Sequence, residues 1–240
     1  MDIVGTFKES IEVAKKNPLI FVPAVAVSLV MAVLTMALIG GTMATTGMMG
    51  GMGSPAGALG AMGAMMGLAA LMGVVGMIAG LVAHGMTVGM AKEAIETGMT
   101  SLSTGLSIVT SRLGQLVVAA VLVGLAVGVG MMLLVIPGII AAILFMFTFV
   151  IIIVDNAGAV DAMKASFNLV KENLSDLVVL FVGALVIGIV VGIVNRVLHL
   201  IPVIGPLAGS LITGVFSGYM TIVIVKVYKE LTSKTRVELT

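Results

Sequence analysis

Methionine is the residue type whose number and spacing could do chemistry in this chain. The sequence holds 20 methionines, and eleven of them lie in residues 43–90. Thioether sulfur is a soft ligand that favours Cu(I), so this region predicts, as one alternative, binding and transport of Cu(I) or Ag(I). Methionine also fills apolar cores as a flexible side chain, which is the competing interpretation. The candidate ligands are the M-M-x-x-M set Met48, Met49 and Met52 and the M-x-x-x-M pair Met86 and Met90.

Four ionisable residues lie in, or at the ends of, long apolar runs, where charge is costly and often functional. His84 is a candidate for proton handling, or else a neutral, hydrogen-bonded interface histidine. Asp155 is a candidate catalytic carboxylate, although we expect it to cap a helix together with Asn156. Arg196 and His199 could bind an anion, while snorkelling of the arginine towards water is the simpler explanation.

No catalytic constellation accompanies these residues. The chain has no cysteine, which excludes disulfides and thiolate chemistry. The sequence holds no phosphate-binding loop, nucleotide fingerprint, nucleophile elbow or zinc motif. The net charge of +1 argues against nucleic acid as a partner. We therefore expect a protein that is not an enzyme and has no resident cofactor, with Cu(I) as the alternative.

Hydropathy and charge predict the elements that position these residues. The chain is 60% hydrophobic and 10% charged, with a mean hydropathy of +1.29, whereas a soluble domain has about 25% charged residues. Eleven of the twelve Lys and Arg, and all eleven Asp and Glu, lie in four short segments, residues 1–18, 92–114, 155–176 and 226–240. Because positive residues stay inside, we expect a multi-pass protein of the cell membrane with both termini in the cytoplasm and no cleavable signal peptide. The six predicted transmembrane helices are residues 19–40, 68–91, 115–136, 139–154, 177–198 and 207–227.

The segments between these spans are also predictable. Residues 42–53, with the first part of the uncharged run 55–91, are rich in Gly and Met, and we interpret them as an outer loop with little intrinsic order. Apolar residues at helical spacing predict two amphipathic helices that lie at the membrane interface or pack on their neighbours. A third is predicted at residues 102–113, with Ser101 or Ser103 as its cap. The two apolar stripes are Val4, Phe7, Ile11 and Ala14, and Val160, Met163, Phe167 and Val170.

The amphipathic helices indicate an internal repeat. Residues 8–17 and 164–173 align without a gap as K-x-S-[IF]-x-[VL]-[AV]-K-x-N. Residues 133–137 and 198–202 share the pattern L-x-[VL]-I-P. We interpret the chain as one all-α integral membrane domain of three parallel repeats, unlike the inverted repeats of many transporters. Each repeat is an amphipathic helix followed by a transmembrane hairpin, over about residues 1–95, 96–154 and 155–240.

The region around the fourth predicted span resembles a known group of proteins. An I-P-G-I hairpin at residues 136–139 leads to a D-x-x-G-A-x-x-A-x-x-x-S segment, formed here by Asp155, Gly158, Ala159, Ala162 and Ser166. This order resembles an uncharacterised prokaryotic six-span family related to the membrane domain of glycerophosphoryl diester phosphodiesterases and to YciC-like inner-membrane proteins. The resemblance implies a polytopic fold and no settled activity.

Glycine spacing predicts close contacts between the spans, since small residues four or five apart let helix backbones approach in lipid. The spans have few charges, so we expect an oligomerising conduit or scaffold whose partners are membrane lipids, further copies of the chain and unidentified proteins. Cu(I) or Ag(I) transport and, from the resemblance, lipid binding or handling are the alternatives. The glycines concerned are Gly76 and Gly80, Gly85 and Gly89, Gly124 and Gly128, Gly188 and Gly192, and Gly205, Gly209, Gly214 and Gly218.

Overall fold

A computed structural model describes residues 2–48 and 55–238, and within these ranges the chain is helical with no β-strand. A short 3-10 helix, Pro18–Phe21, joins the first two α-helices. The α-helices are α1 (Ile3–Lys16), α2 (Val22–Met48), α3 (Pro55–Thr97), α4 (Leu102–Leu133), α5 (Val135–Leu144), α6 (Thr148–Val154), α7 (Ala159–Glu172), α8 (Leu174–Leu198) and α9 (Ile204–Glu238).

Six helical segments are long and apolar enough to cross a membrane, which agrees with the predicted number. They indicate a multi-pass membrane protein, because each has at least the roughly 20 residues that a hydrocarbon core requires. The segments are Pro18–Leu38, Met62–Thr97, Leu102–Leu133, Val135–Val154, Leu174–Leu198 and Ile204–Lys234.

The Gly- and Met-rich region differs from its prediction. Where it is described, it is not a loop, because α2 continues to Met48 and α3 begins at Pro55. Ala, Leu and Met are among the strongest helix formers and here outweigh the cost of the glycines, while a proline at the first helical position is well tolerated. The 43 residues of α3 extend about 65 Å at about 1.5 Å per residue. Residues 49–54 of the predicted loop lie outside the described ranges.

The third amphipathic helix is also different from its prediction, because it is continuous with the third span. Residues 102–113 form the first turns of α4. The predicted cap is confirmed, since Ser101 Oγ accepts a hydrogen bond from the Thr104 N–H at 3.2 Å. A side-chain oxygen at this position satisfies one of the free N–H groups of the first turn.

The fourth span consists of two helices, α5 and α6, that are separated by Phe145–Phe147. Ser166 of α7 bridges this break from the side. Its hydroxyl donates to the Leu144 carbonyl at 2.8 Å and accepts from the Phe147 N–H at 3.2 Å. The break therefore keeps its backbone groups hydrogen-bonded, as broken helices in membranes must.

The turn between α4 and α5 is at Leu134, whose backbone is extended. Pro137, which the sequence placed in the turn, lies instead in the first turn of α5, where its missing N–H costs nothing. Gly130 and Gly138 face each other across this hairpin. A Cβ atom built on Gly130 would lie 2.8 Å from the Gly138 Cα, so the two backbones are in direct contact.

The buried core is concentrated at one end of the bundle, which we call the charged end. There the last turns of α3 and α9, the α6–α7 turn and α1 come together. The halves of the spans away from the charged end are far more exposed; in α4 and α5 this applies to Val129, Leu133 and Ile136. The largest fully buried side chains include Phe147, Ile20, Met90, Leu116, Ile152, Leu177, Leu180 and Ile222.

The two amphipathic helices pack on the bundle mainly through small side chains. Of the predicted apolar stripes, only Ala14 and Val170 are buried. Val4 and Ile11 in α1, and Val160 and Phe167 in α7, remain exposed. Small residues form the packed face because they allow helices to approach closely. The buried residues are Thr6, Ser10 and Ala14 in α1, and Ala159, Ala162, Ser166 and Val170 in α7.

Candidate functional site

The turn that follows α6 is tied to two long helices at the charged end. Lys92 of α3 donates from Nζ to the Val154 carbonyl at 3.0 Å. The hydroxyl of Tyr228 in α9 donates to a carboxylate oxygen of Asp155. A cation at the end of a helix also interacts favourably with the negative end of the helix dipole. These contacts hold α6 against both α3 and α9.

The capping role predicted for Asp155 and Asn156 is wrong for α7. The N-cap residue of α7 is Gly158, and no side chain at that position caps the helix. The first N–H of the helix, that of Ala159, donates instead to Gln115 Oε1 of α4 at 2.8 Å. Asn156 has a positive φ of 58°, and Asp155, which precedes it, accepts a hydrogen bond from Tyr228. The missing cap is therefore supplied by a side chain from another helix.

A charged cleft of about 410 Å³ lies between α1 and the last turns of α3 and α9. Lys226 forms an ion pair with Glu9, and Lys229 Nζ lies 2.5 Å from Glu96 Oε1. Each lysine thus has its own carboxylate, and such partly exposed pairs contribute at most about 1 kcal/mol each. Among the described residues, no group of three or more His, Cys, Asp or Glu could hold a metal ion. The two ion pairs join α9 to α1 and to α3 at the edges of the cleft.

His84 contacts an aromatic ring. Its imidazole meets Phe149 edge-on, with ring centroids 5.7 Å apart and an interplanar angle of 85°. We expected a hydrogen-bonded histidine, but within residues 2–48 and 55–238 the His84 imidazole forms no hydrogen bond. Its proposed role in proton handling stays a prediction.

Arg196 lies in the last turn of α8 and His199 is the C-cap residue of that helix, at the end of the bundle opposite the charged end. His199 Nδ1 is 2.7 Å from the Asn195 carbonyl oxygen, and Asn195 Nδ2 donates to Thr213 Oγ1 of α9 at 3.0 Å. Arg196 is exposed. The two predicted residues are neighbours, and their binding of an anion stays a prediction.

Comparison with known proteins places this helical chain in a family. The DUF7847 domain, described as a domain of unknown function, matches residues 1–231. The chain belongs to the DUF7847 family. The match covers α1 to α8 and most of α9. No curated protein and no solved structure matches the chain.

The methionines that this DUF7847 chain places inside the bundle have a packing role. Met90 is fully buried, and a Cβ atom built on Gly105 would lie 2.7 Å from its Cγ. Met90 thus fills the space that Gly105 leaves on α4. Met86 is half-buried and lines an apolar groove of about 570 Å³ between α2, α3 and α4. The side chain of Met48, and the residues Met49 and Met52, lie outside the described part, so the Cu(I) alternative stays a prediction.

The glycines of the DUF7847 chain fall into two groups. In the first group, neighbouring helices fill the space beside the glycine: a Cβ atom on Gly85 would lie 2.6 Å from Val109 Cγ2, and one on Gly214 would lie 2.7 Å from the Val25 Cα. In the second group, a Cβ atom would meet no other residue within 4 Å. This open group includes Gly80, Gly124, Gly128 and Gly192.

A second groove, of about 550 Å³, runs beside α7, and we call it the α7 groove. Apolar side chains of α4, of the α5–α6 break and of α7 form most of its lining. Sequence reasoning missed it, because Leu122 and Phe145 join α7 only in the folded chain. The available signal was the spacing of Lys164, Asn168 and Lys171, which places them along one side of a helix. The lining residues are Leu122, Phe145, Val160, Met163, Lys164, Phe167 and Asn168.

Proposed function

We propose that this DUF7847 protein is a non-enzymatic scaffold of the cell membrane that assembles with further copies of itself. The observation that carries the proposal is the uneven burial along the spans. In α8, Leu177 and Leu180 near the charged end are at most 1% exposed, whereas Val186, Val190 and Val197 are more than half exposed. An apolar helix that a monomer leaves half-covered requires lipid or another protein surface along the remainder.

The open glycines support protein contact along these exposed halves. Gly124 and Gly128 lie one turn apart on α4, and Val121, Leu125 and Val129 around them are exposed. Association of helices in lipid depends on close packing, and a glycine pair at this spacing lets a second helix approach. The charged end keeps its compact core and serves in this proposal as the rigid base of each copy.

A conduit is the second form of the same proposal. Copies that associate through their exposed halves would enclose a passage at the axis of the assembly, so transport would require the oligomer. Substrate identity is open in this form, because the spans carry few charged side chains to select an ion.

We infer further that the charged end faces the cytoplasm and that the chain is built from repeats. The distribution of lysine and arginine supports the orientation. The burial pattern supports the repeat: Ser10 and Ser166 align in sequence and are both fully buried, and the exposed Val4 and Ile11 align with the exposed Val160 and Phe167. The resemblance to the phosphodiesterase membrane domain stays a prediction from the sequence motifs.

The particle mass of the full chain in native-lipid discs tests the scaffold. We expect a mass of two or more copies at all protein concentrations at which the discs are stable. A strictly monomeric particle would exclude it. Flux assays in liposomes with ions and small neutral solutes separate the two forms. A conduit gives flux, whereas a scaffold without a passage gives none although its particles are oligomeric.

A further inference from the structure

We propose that the α7 groove binds a phosphate-bearing membrane lipid, with Lys164 and Asn168 contacting the headgroup and the apolar lining holding an acyl chain. The site lies within one copy of the chain and does not depend on self-association. It is a ligand site in addition to the scaffold role.

The first argument is that the lysines of α7 have no ion-pair partner. Lys164 and Lys171 are exposed on α7, and within the described part of the chain neither takes part in an ion pair or a hydrogen bond. Asp161 and Glu172, the two acidic residues of α7, lie on the helix without pairing to either lysine. Neither α4 nor the α5–α6 break contributes a charged side chain to the lining of the groove. A phosphate group would give Lys164 a direct, charged partner.

The second argument is the contrast with α1, which has the same spacing of lysines. Lys8 and Lys15 of α1 align with Lys164 and Lys171, but the residue that aligns with Asn168 is Glu12. Glu12 Oε1 accepts from Lys15 Nζ at 2.9 Å, so α1 neutralises one of its own cations. In α7 an amide replaces that carboxylate, and an amide can donate to a phosphate oxygen. The difference favours an anion at α7 and disfavours one at α1.

The third argument identifies a lipid rather than a free anion. Beside Lys164 and Asn168, the lining consists of Leu122, Phe145 and further apolar side chains of α7. Val160 and Phe167 on that lining are exposed in the folded chain, at 51% and 39%. The groove also borders α4 and the fourth span, both of which are apolar enough to lie in the membrane. A cation beside an apolar channel at a membrane helix matches a molecule with a phosphate head and a hydrocarbon tail.

Lipid titration of the purified full chain, followed by native mass spectrometry, tests the site. The probes are palmitoyl-oleoyl phosphatidylglycerol, the matching diacylglycerol without phosphate, and inorganic phosphate. Lys164→Gln removes the charge at nearly constant length, and Asn168→Glu reproduces the α1 arrangement. Lys8→Gln is the matched control, because it removes the aligned exposed lysine of α1.

We expect the affinity for phosphatidylglycerol to fall about tenfold in each α7 variant, since each loses a charge-assisted hydrogen bond. Lys8→Gln should bind as the unchanged chain does, and neither diacylglycerol nor inorganic phosphate should compete. Equal binding of diacylglycerol, or equal losses in all three variants, would overturn the proposal. If inorganic phosphate displaces phosphatidylglycerol, the site binds a free anion instead of a lipid. No binding of phosphatidylglycerol, as expected if a second copy covers the groove, would also overturn the proposal. All the substituted residues are exposed, so these variants should fold.

Discussion

The hydroxyl of Tyr228, near the end of α9, donates a hydrogen bond to the carboxylate of Asp155, which follows α6. The Tyr228 ring also packs on Phe147 at the break in the fourth span, with centroids 5.7 Å apart. One side chain therefore connects the last transmembrane helix to both ends of α6. Among the residues of the charged end, we therefore expect Tyr228 to be the most sensitive to substitution.

Tyr228→Phe keeps the ring and removes the hydrogen bond. We expect a loss of about 1–2 kcal/mol in the free energy of unfolding, because a part-buried hydrogen bond to a charged acceptor is removed. A thermal melt of the protein in detergent should show a lower Tm. Asp155→Ala should lower it as well, and the double variant should show less than the sum of the two losses because both substitutions remove the same bond. Additive losses would argue against the bond.

Ser166→Ala removes the bridge across the α5–α6 break. The Leu144 carbonyl and the Phe147 N–H would each lose a partner, and we expect a loss of about 2 kcal/mol. Ser10→Ala in α1 is the matched control: Ser10 is equally buried but, among the described residues, bonds only to the Thr6 carbonyl of its own helix, at 2.7 Å. The control should lose clearly less. Amide hydrogen exchange at Phe147 should accelerate in Ser166→Ala alone, and unchanged exchange would refute the bridge.

Gly214→Ala tests the contact between α9 and α2. Its new methyl group would lie 2.7 Å from the Val25 Cα, and backbone cannot move aside easily. We expect a cost of about 1–3 kcal/mol from overpacking. Gly80→Ala meets no other residue within 4 Å and should stabilise the helix by about 0.5–1 kcal/mol. Melting curves of both variants compare the two outcomes, and a stabilised Gly214→Ala would contradict the close approach.

Gly128→Leu tests self-association through α4. A leucine there fills the open space that a second copy would occupy, so we expect a smaller particle in native-lipid discs without a loss of folded protein. Gly114→Leu is the control, because Gly114 is an open glycine on the same helix near the charged end. The control should keep the mass of the unchanged chain. Identical particle masses for both variants would show that α4 is not part of the contact between copies.

Single cysteines test the orientation, and the natural absence of cysteine makes the labelling unambiguous. Met99 between α3 and α4 is 76% exposed, and Leu200 between α8 and α9 is 79% exposed, at opposite ends of the bundle. We expect a membrane-impermeant maleimide to label Leu200→Cys in intact cells and Met99→Cys only after permeabilisation. The reverse pattern would place the charged end outside.

The number of spans was predictable because hydropathy sums over many residues and tolerates local errors. The break at Phe145–Phe147 was not, since its backbone is satisfied by Ser166, which lies on another helix. Asp155 shows the same limit: local spacing predicted a cap, while its partner Tyr228 is distant in sequence. The α7 groove likewise depends on Leu122 of α4 lying across from α7, which no short-range pattern contains.

The unequal lengths of the helices have a consequence for the surrounding lipid. The fourth span, Val135–Val154, has 20 residues and matches a hydrocarbon thickness of about 30 Å, whereas α3 is about twice as long. A bilayer that fits the fourth span is thinner than the 36-residue apolar segment Met62–Thr97, so we expect α3 to tilt or the bilayer beside it to thicken. We therefore expect the position of the protein in a membrane to depend on the thickness of the bilayer.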